Sequence, residues 1–458
     1  MTVTTIPQHP ILPKSTTSLP LRNPNHPEHE AGRPDLTLEQ IDAFGAEMDA
    51  LRKKVVEDLG EADANYLRDV VDKQRKLEVL GRGLIAVGIF PPAFVAGVGA
   101  LALSKIIDNM EIGHNVMHGQ YDWMRDEALN SLVFDWDTVC PAENWKHSHN
   151  YMHHTYTNIV GKDRDVGYGI LRMSEAQKWN PYYLGNPVYA IALGLFFQWG
   201  VMLHDMEVEK LLTGEKKWAE TSEVRKKIAR KTVKQVGKDY LLFPLLSGPF
   251  APITLAGNAS ANLIRNVWSF SIIFCGHFPD GVATFTEEEA ENESRGQWYI
   301  RQLLGSANIS GSPFFHVLTG NLSHQIEHHL FPDIPARRYA EMSATVKDAC
   351  ERYGLPYNTG GLTAQLGSVA KKIVKLALPW TGRKRRCAEG RAVAQGRLTS
   401  AAQQPRSADS MSFSGISHDI EPAECLTRQV YVLPSAGART RERSRAGKRC
   451  RSAPSGPK

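Results

Sequence analysis

Between Arg82 and Lys105 the chain runs for 22 residues, Gly83–Ser104, without a charge. That is long enough to cross the roughly 30 Å hydrocarbon core of a bilayer, and Pro91-Pro92 within it predict a kink or a break. Further apolar runs cover Val188–Leu203, the uncharged but Pro- and Gly-rich Leu241–Ile264, and the weaker Val267–Phe278. Two uncharged runs of more than twenty residues are hard to place in a soluble core, so the pattern predicts an all-α membrane protein with about four transmembrane helices. Upstream, Thr37 with Gln40 fits a capping box, and Ile41, Phe44, Met48, Leu51 and Val55 follow it at helical spacing. Leu67, Val70, Val71, Leu77 and Leu80 mark a second amphipathic helix over Asp63–Leu80. Both helices are expected to lie on the protein or on the membrane surface.

The two ends have a different character. Residues 1–35 contain seven prolines and no apolar run; they read as a flexible arm, without the basic stretch and apolar core of a signal peptide. Residues 381–458 carry 16 Lys+Arg against 6 Asp+Glu, show no periodicity, and read as a disordered basic tail. The body between, residues 36–380, is the expected membrane domain. The formal net charge of +5 belongs to the tail, since residues 1–380 sum to −5; nothing in the body suggests a nucleic-acid partner. Cys140, Cys275 and Cys350 stand alone in the body, which excludes a zinc ribbon and a disulfide framework. A 42% apolar content suits three or four spans with a soluble cap and is too small for a ten-span transporter.

The chemistry concentrates in histidine. His114 and His118 form HxxxH directly after the first apolar run. His149, His153 and His154 form a cluster at i, i+4, i+5, and His324, His328 and His329 repeat that spacing 175 residues later. His277 ends the fourth apolar run. On an α-helix, residues four apart lie one above the other, so His114/His118 and His149/His153 can each offer two imidazoles to one metal. His154 and His329 point about 100° away, toward a second metal or a bridge. Eight or nine imidazoles exceed the four ligands of a single zinc site, which implies two metals; the absence of cysteine argues against iron–sulfur chemistry. His147, His204 and His316 read as supporting or structural residues. No run between the first two clusters is long enough to cross a bilayer, and two candidate spans, 188–203 and 241–264, separate the second from the third. An even number of crossings returns the chain to its starting side, so all three clusters can share one cap.

HxxxH, the HH cluster and Gln325-Ile-Glu-His-His-Leu-Phe-Pro332 together resemble the histidine boxes of the membrane fatty acid desaturases. The runs around Glu111–His118 and Asn158/Asp165 are most similar to actinobacterial acyl-CoA desaturases. The resemblance covers approximately residues 40–360. It implies about four transmembrane helices under a cytosolic helical cap with two non-haem irons, in a multi-pass protein of the bacterial cell membrane. It further implies O2 as co-substrate and a long-chain acyl-CoA substrate, with stearoyl-CoA as the expected substrate and Δ9 as the expected position of the cis double bond. Electrons would come from a separate NAD(P)H-dependent reductase or a ferredoxin-type donor, and membrane lipids would surround the helices. The first histidine of each HH box stands four rather than three residues before the pair, leaving open whether His149 and His324 or the amides Asn150 and Gln325 face the metal. The additional histidine that the family often carries outside the boxes corresponds to His277.

An unactivated acyl C–H bond has no acidic proton for a general base to remove, so a metal centre that activates O2 suits the task. Metal-ligating histidines need acceptors to fix their tautomers, and Glu111, Glu143, Asp163, Asp165, Glu327, Asp333, Asn115 and Asn158 are the sequence-near candidates. Lys146, Lys162, Arg164, Arg337 and Arg338 could pair with phosphates of coenzyme A or with anionic lipid. A lipid or alkane hydroxylase on the same scaffold is the alternative reading. A histidine-rich membrane metal-binding protein fits less well, because the uncharged runs carry no ionisable pathway.

Overall fold

The computed structural model describes residues 36–379; the arm over 1–35 and the tail over 381–458 lie outside the described residues. Helix α1 (Leu38–Asp58) begins at the capping box expected from sequence, with Thr37 and Gln40 bonded reciprocally. It buries Ile41, Phe44, Met48 and Val55. Helix α2 (Glu61–Ala86) buries Leu67, Val70 and Val71.

The uncharged run Gly83–Ser104 does not form one span. Helix α2 ends at Ala86 and α3 (Pro91–Ile107) starts on the two prolines, whose missing N–H groups cost nothing in a first turn. The run is therefore the tip of a hairpin, and α3 continues through a π-helical turn, Asp108–His114, to Met117. The run 241–264 is divided in the same way. Its first part descends through Lys238–Leu246, the chain turns at Gly248 (φ +55°), and α7 (Ala251–His277) returns. The fourth apolar run is the upper part of α7, not a separate element. The run 188–203 is also broken: α4 (Asn186–Leu195) and α5 (Phe197–Asp205) meet at Phe196 with a bend of 102° between the two arms. Among the described residues, Pro91–Met117 is the one unbroken helix long and apolar enough to cross a membrane; the bent pair 181–205 passes only if taken as one span.

The two hairpins are joined at their base by buried charge. Lys105 lies 2.8 Å from Asp239 and 3.0 Å from Asp137. Arg82 reaches Asp239 at 3.1 Å and Glu78 at 2.8 Å. Asn262 of α7 donates to Asp239 Oδ2 at 3.0 Å. Helix α6 (Ser222–Gly237) leads into the second hairpin. Beyond it lie α8 (Arg295–Leu304), α9 (Gln325–Leu330), α10 (Tyr339–Tyr353) and α11 (Leu362–Ala377). Two short parallel strands, β1 (Asn308–Ser310) and β2 (Thr359–Gly361), tie the approach to α9 to the start of α11. The cap core is formed by α1, α8, α9 and α10, through Phe44, Met48, Tyr299, Leu303, Leu330, Phe331 and Met342. The mostly helical architecture agrees with the sequence pattern, whereas the runs read as spans are two hairpin tips, one bent pair and the upper part of α7.

Candidate metal centre

Three segments bring the histidine boxes together. His114 and His118 end the extension of α3. His149 and His153 sit in a π-helical turn, Lys146–His153, followed directly by His154. His328 and His329 lie in α9, and His277 is the last residue of α7. In a π-helical turn each hydrogen bond spans five residues instead of four. Residues four and five along then straddle the first, and His149, His153 and His154 all turn toward the centre.

Two groups of ring nitrogens result. His114, His118, His149 and His328 place one nitrogen each within 4.8 Å of one another, as do His153, His277 and His329. His154 stands between the groups. Its ring stacks on His329 at 4.5 Å, and it meets both His118 and His328 edge-on at 4.7 Å.

Five of the rings are held by their outer nitrogens, and five Nε2 atoms have no partner among the described residues. His149 Nδ1 lies 3.2 Å from Asp165 Oδ2, and His153 Nδ1 lies 2.9 Å from Asp163 Oδ2. His329 Nδ1 is 3.0 Å from Gln302 Oε1, whose amide nitrogen donates to His154 O and so fixes the oxygen toward the ring. His328 Nδ1 is 3.3 Å from the Tyr339 hydroxyl, which itself donates to Phe331 O. His114 Nδ1 is 3.1 Å from Asn115 Oδ1. In each of these five rings the Nδ1–H is the donor, which leaves Nε2 as a lone-pair ligand. The Nε2 atoms of His118, His149, His153, His154 and His328 are buried without a hydrogen-bond partner among the described residues. Buried polar atoms of this kind are rare unless something is meant to occupy the space between them. The donor set is all imidazole, which suits iron, zinc or copper, and its division into two groups fits a pair of metal ions.

His324 is not brought to this centre. It precedes α9 with a non-helical backbone (φ −99°, ψ 55°), and its ring faces His316 at 4.6 Å. Gln325 turns inward in its place, with its amide nitrogen 3.1 Å from His277 Nε2. At the second box the choice is the opposite: His149 faces inward, and Asn150 donates to Met117 O at 2.8 Å. Two identical spacings thus resolve differently, because one is wound as a π turn and the other crosses a helix start.

Of the carboxylates near in sequence, Asp163 and Asp165 support the histidines. Glu111 takes bonds from Tyr66 (2.7 Å) and Asn321 (3.0 Å), and Glu327 from Tyr357 (2.7 Å) and Asn308 (2.9 Å). Burial pushes the Glu327 carboxyl up to about 7 against those hydrogen bonds. Glu143 pairs with Lys227, and Asp333 with Arg52, both away from the centre. Asn158 bonds Ala283 O and Gly305 O. The basic residues near the boxes are engaged locally: Lys162 with Glu287, Arg164 with Glu209, Arg337 and Arg338 with Asp63, and Lys146 with Ser131 O. Gln302, Tyr339 and Thr157 support the centre from positions that no motif marks. His204, read from sequence as a supporting residue, lies 2.9 Å from Asp165. Burial works against the Asp165 charge, but His153, His149 and His204 together hold its carboxyl well below the usual range.

A cavity opens beside the centre. His114, His149 and His277 form one end, and Met110, Trp136, Trp145, Tyr168, Phe197, Val201, Ile273 and Leu322 supply apolar wall.

The sequence comparisons agree with this geometry. The profile of the family described as fatty acid desaturase matches residues 89–361. An NADPH-dependent stearoyl-CoA 9-desaturase of Mycobacterium tuberculosis is 45% identical over 348 residues, covering 75% of this chain and 82% of the relative. An sn-1 linoleoyl-lipid 6-desaturase of Synechocystis is 27% identical, covering 60% of this chain and 77% of the relative. Human fatty acid desaturase 3 is 24% identical over 52% of this chain and 51% of its own. With its histidine groups, its apolar cavity and a family match over more than half its length, the chain belongs to the fatty acid desaturases, which are oxidoreductases.

Proposed function

We propose that the chain introduces a cis double bond into a long-chain acyl-CoA, stearoyl-CoA at Δ9 being the first candidate. The reading is supported by the likeness to the mycobacterial stearoyl-CoA 9-desaturase. The observation that carries it is the set of unpartnered Nε2 atoms at the head of an apolar cavity. The proposed ligands are His114, His118, His149, His328 and His153, His277, His329, with His154 between them. Two non-haem irons held there would supply the O2 chemistry that removes hydrogen from an unactivated C–H bond.

The chain's own residues do the rest. Asp163, Asp165, Gln302 and Tyr339 hold the Nδ1 protons, so each ring keeps its tautomer and its aim. Phe197, Val201, Ile273 and Met110 give the acyl chain a dry wall and hold its middle beside His114, His149 and His277. Exclusion of water there protects the reaction from side products. The mycobacterial relative is named as NADPH-dependent, which supports a separate reductase or ferredoxin-type protein as electron source.

The hairpins are proposed to place four helical arms in the bacterial cell membrane, with the centre on the cytosolic side. A core of roughly 30 Å needs about 20 residues per helix. Each arm therefore carries the paired charges of the hairpin base into the membrane edge, where mutual neutralisation permits it. The test uses purified, iron-loaded protein with stearoyl-CoA, O2, NADPH and a reductase. A product that has lost two hydrogens supports the reading. A product that has gained one oxygen indicates the hydroxylase, and no oxidised product contradicts both.

A further inference from the structure

The cavity beside the histidines has a polar floor. Along α7 its lining runs Arg265, Asn266, Ser269, Ile273 and His277. These residues share one helix face, so the cavity wall changes from polar at the lower end to apolar and then to the metal centre. Arg265, 2% exposed, donates to Asp137 O and to Asn266 Oδ1, both at 3.1 Å. Asn266 in turn donates to Leu195 O at 3.0 Å. This closed chain of bonds braces the loop at Asp137, helix α7 and the α4–α5 bend at one level. Gln198, three residues beyond Leu195, also lines the cavity; it is 7% exposed and its Oε1 has no partner among the described residues. One turn above Arg265, Ser269 donates to Asn109 Oδ1 at 3.1 Å.

Resting on the acyl-CoA reading above, we propose that Gln198, Arg265 and Asn266 form the stop that limits how many carbons an acyl chain can extend beyond the metal centre. If the thioester remains on the cytosolic side, the methyl end of the chain points down this cavity. A methylene gains by leaving water for an apolar wall but loses when it covers an amide that then finds no hydrogen bond. The chain end therefore halts where Gln198 and the Arg265–Asn266 pair begin. These are specificity-determining residues, remote from the reacting carbons.

Two opposed variants test the stop. Gln198→Ala removes part of the floor and should raise kcat/KM for a C20 acyl-CoA relative to C18 by about tenfold, the scale of one or two methylenes in an apolar pocket. Ser269→Val narrows the cavity above the floor and should shift the preference toward C16 by a similar factor. Both ratios are measured by competition among C16, C18 and C20 acyl-CoA with the iron-loaded wild type alongside. Opposite shifts in the two variants support the stop. Unchanged ratios in either variant that still turns over overturn it, and if one variant does not fold the other decides. A wild type that desaturates no acyl-CoA contradicts the substrate reading instead, and the stop with it.

Discussion

Two buried polar clusters lie along the same helices, and they differ in the groups they bring together. At the hairpin base Lys105, Asp239, Arg82, Asp137 and Asn262 meet in ion pairs and hydrogen bonds. At the upper ends of α3 and α7, eight imidazoles converge, and the Nε2 atoms of His118, His149, His153, His154 and His328 have no hydrogen-bond partner among the described residues. The first cluster pairs opposite charges and so holds two hairpins together, even with Arg82 Nη1 and Asn262 Oδ1 left without a partner among the described residues. The second gathers ligands of one kind, an arrangement that could hold metal. Burial and polarity alone do not separate a structural cluster from a working one; the direction of the unpaired atoms does.

The largest effect expected from this contrast is at the histidines. His118→Ala or His328→Ala should remove metal from the centre and lower activity well beyond the about 10- to 100-fold loss typical of residues that only support a ligand. Helix content and detergent-solubilised yield should remain at wild-type levels. Normal iron content in both variants would return these rings to ordinary packing.

The base cluster should respond in the opposite way. Asp239→Leu leaves Lys105 and Arg82 facing each other without their shared carboxylate, and loss of one partner of a buried ion pair costs about 3–5 kcal/mol. Thermal unfolding should shift down sharply, while the folded fraction binds iron as the wild type does. Unchanged stability would show that these charges are solvated.

A smaller effect is expected at Asp163. Its carboxylate holds His153 Nδ1 and accepts Asn158 N at 2.7 Å, so Asp163→Asn should weaken iron binding by about 10- to 100-fold with little loss of fold. Iron retention during chelator titration measures it.

The smallest effect is predicted for His324→Ala. The ring faces His316 rather than the centre, and iron content and turnover should stay near wild type. Loss of iron in that variant would place His324 among the ligands and remove the distinction between the two HH boxes.

Seven of the eight box histidines were legible in the sequence because one residue type recurs at local spacings, and His277 through the family resemblance; the structure brings these together. The capping box at Thr37 was legible for the same reason, being a local arrangement of hydrogen bonds. The hairpins were not. A hydropathy run measures apolar length without direction, so a run that turns at Pro91 or Gly248 reads like one that continues straight. The shared direction of His149, His153 and His154 depends on π winding, which no residue pattern marks. Gln302 and Tyr339 reach the centre only through tertiary packing of α8 and α10, so nothing near the boxes pointed to them. The equal spacing of the two HH boxes suggested equal roles for His149 and His324, and the helix start at Gln325 separated them.

Two groups of imidazoles, four and three, with His154 between them, are proposed to hold a pair of irons. Iron per folded chain, measured on detergent-purified protein loaded anaerobically with Fe(II) and freed of excess metal, tests it most directly. The account predicts two irons per chain. One iron or none in a folded, monodisperse preparation would contradict it.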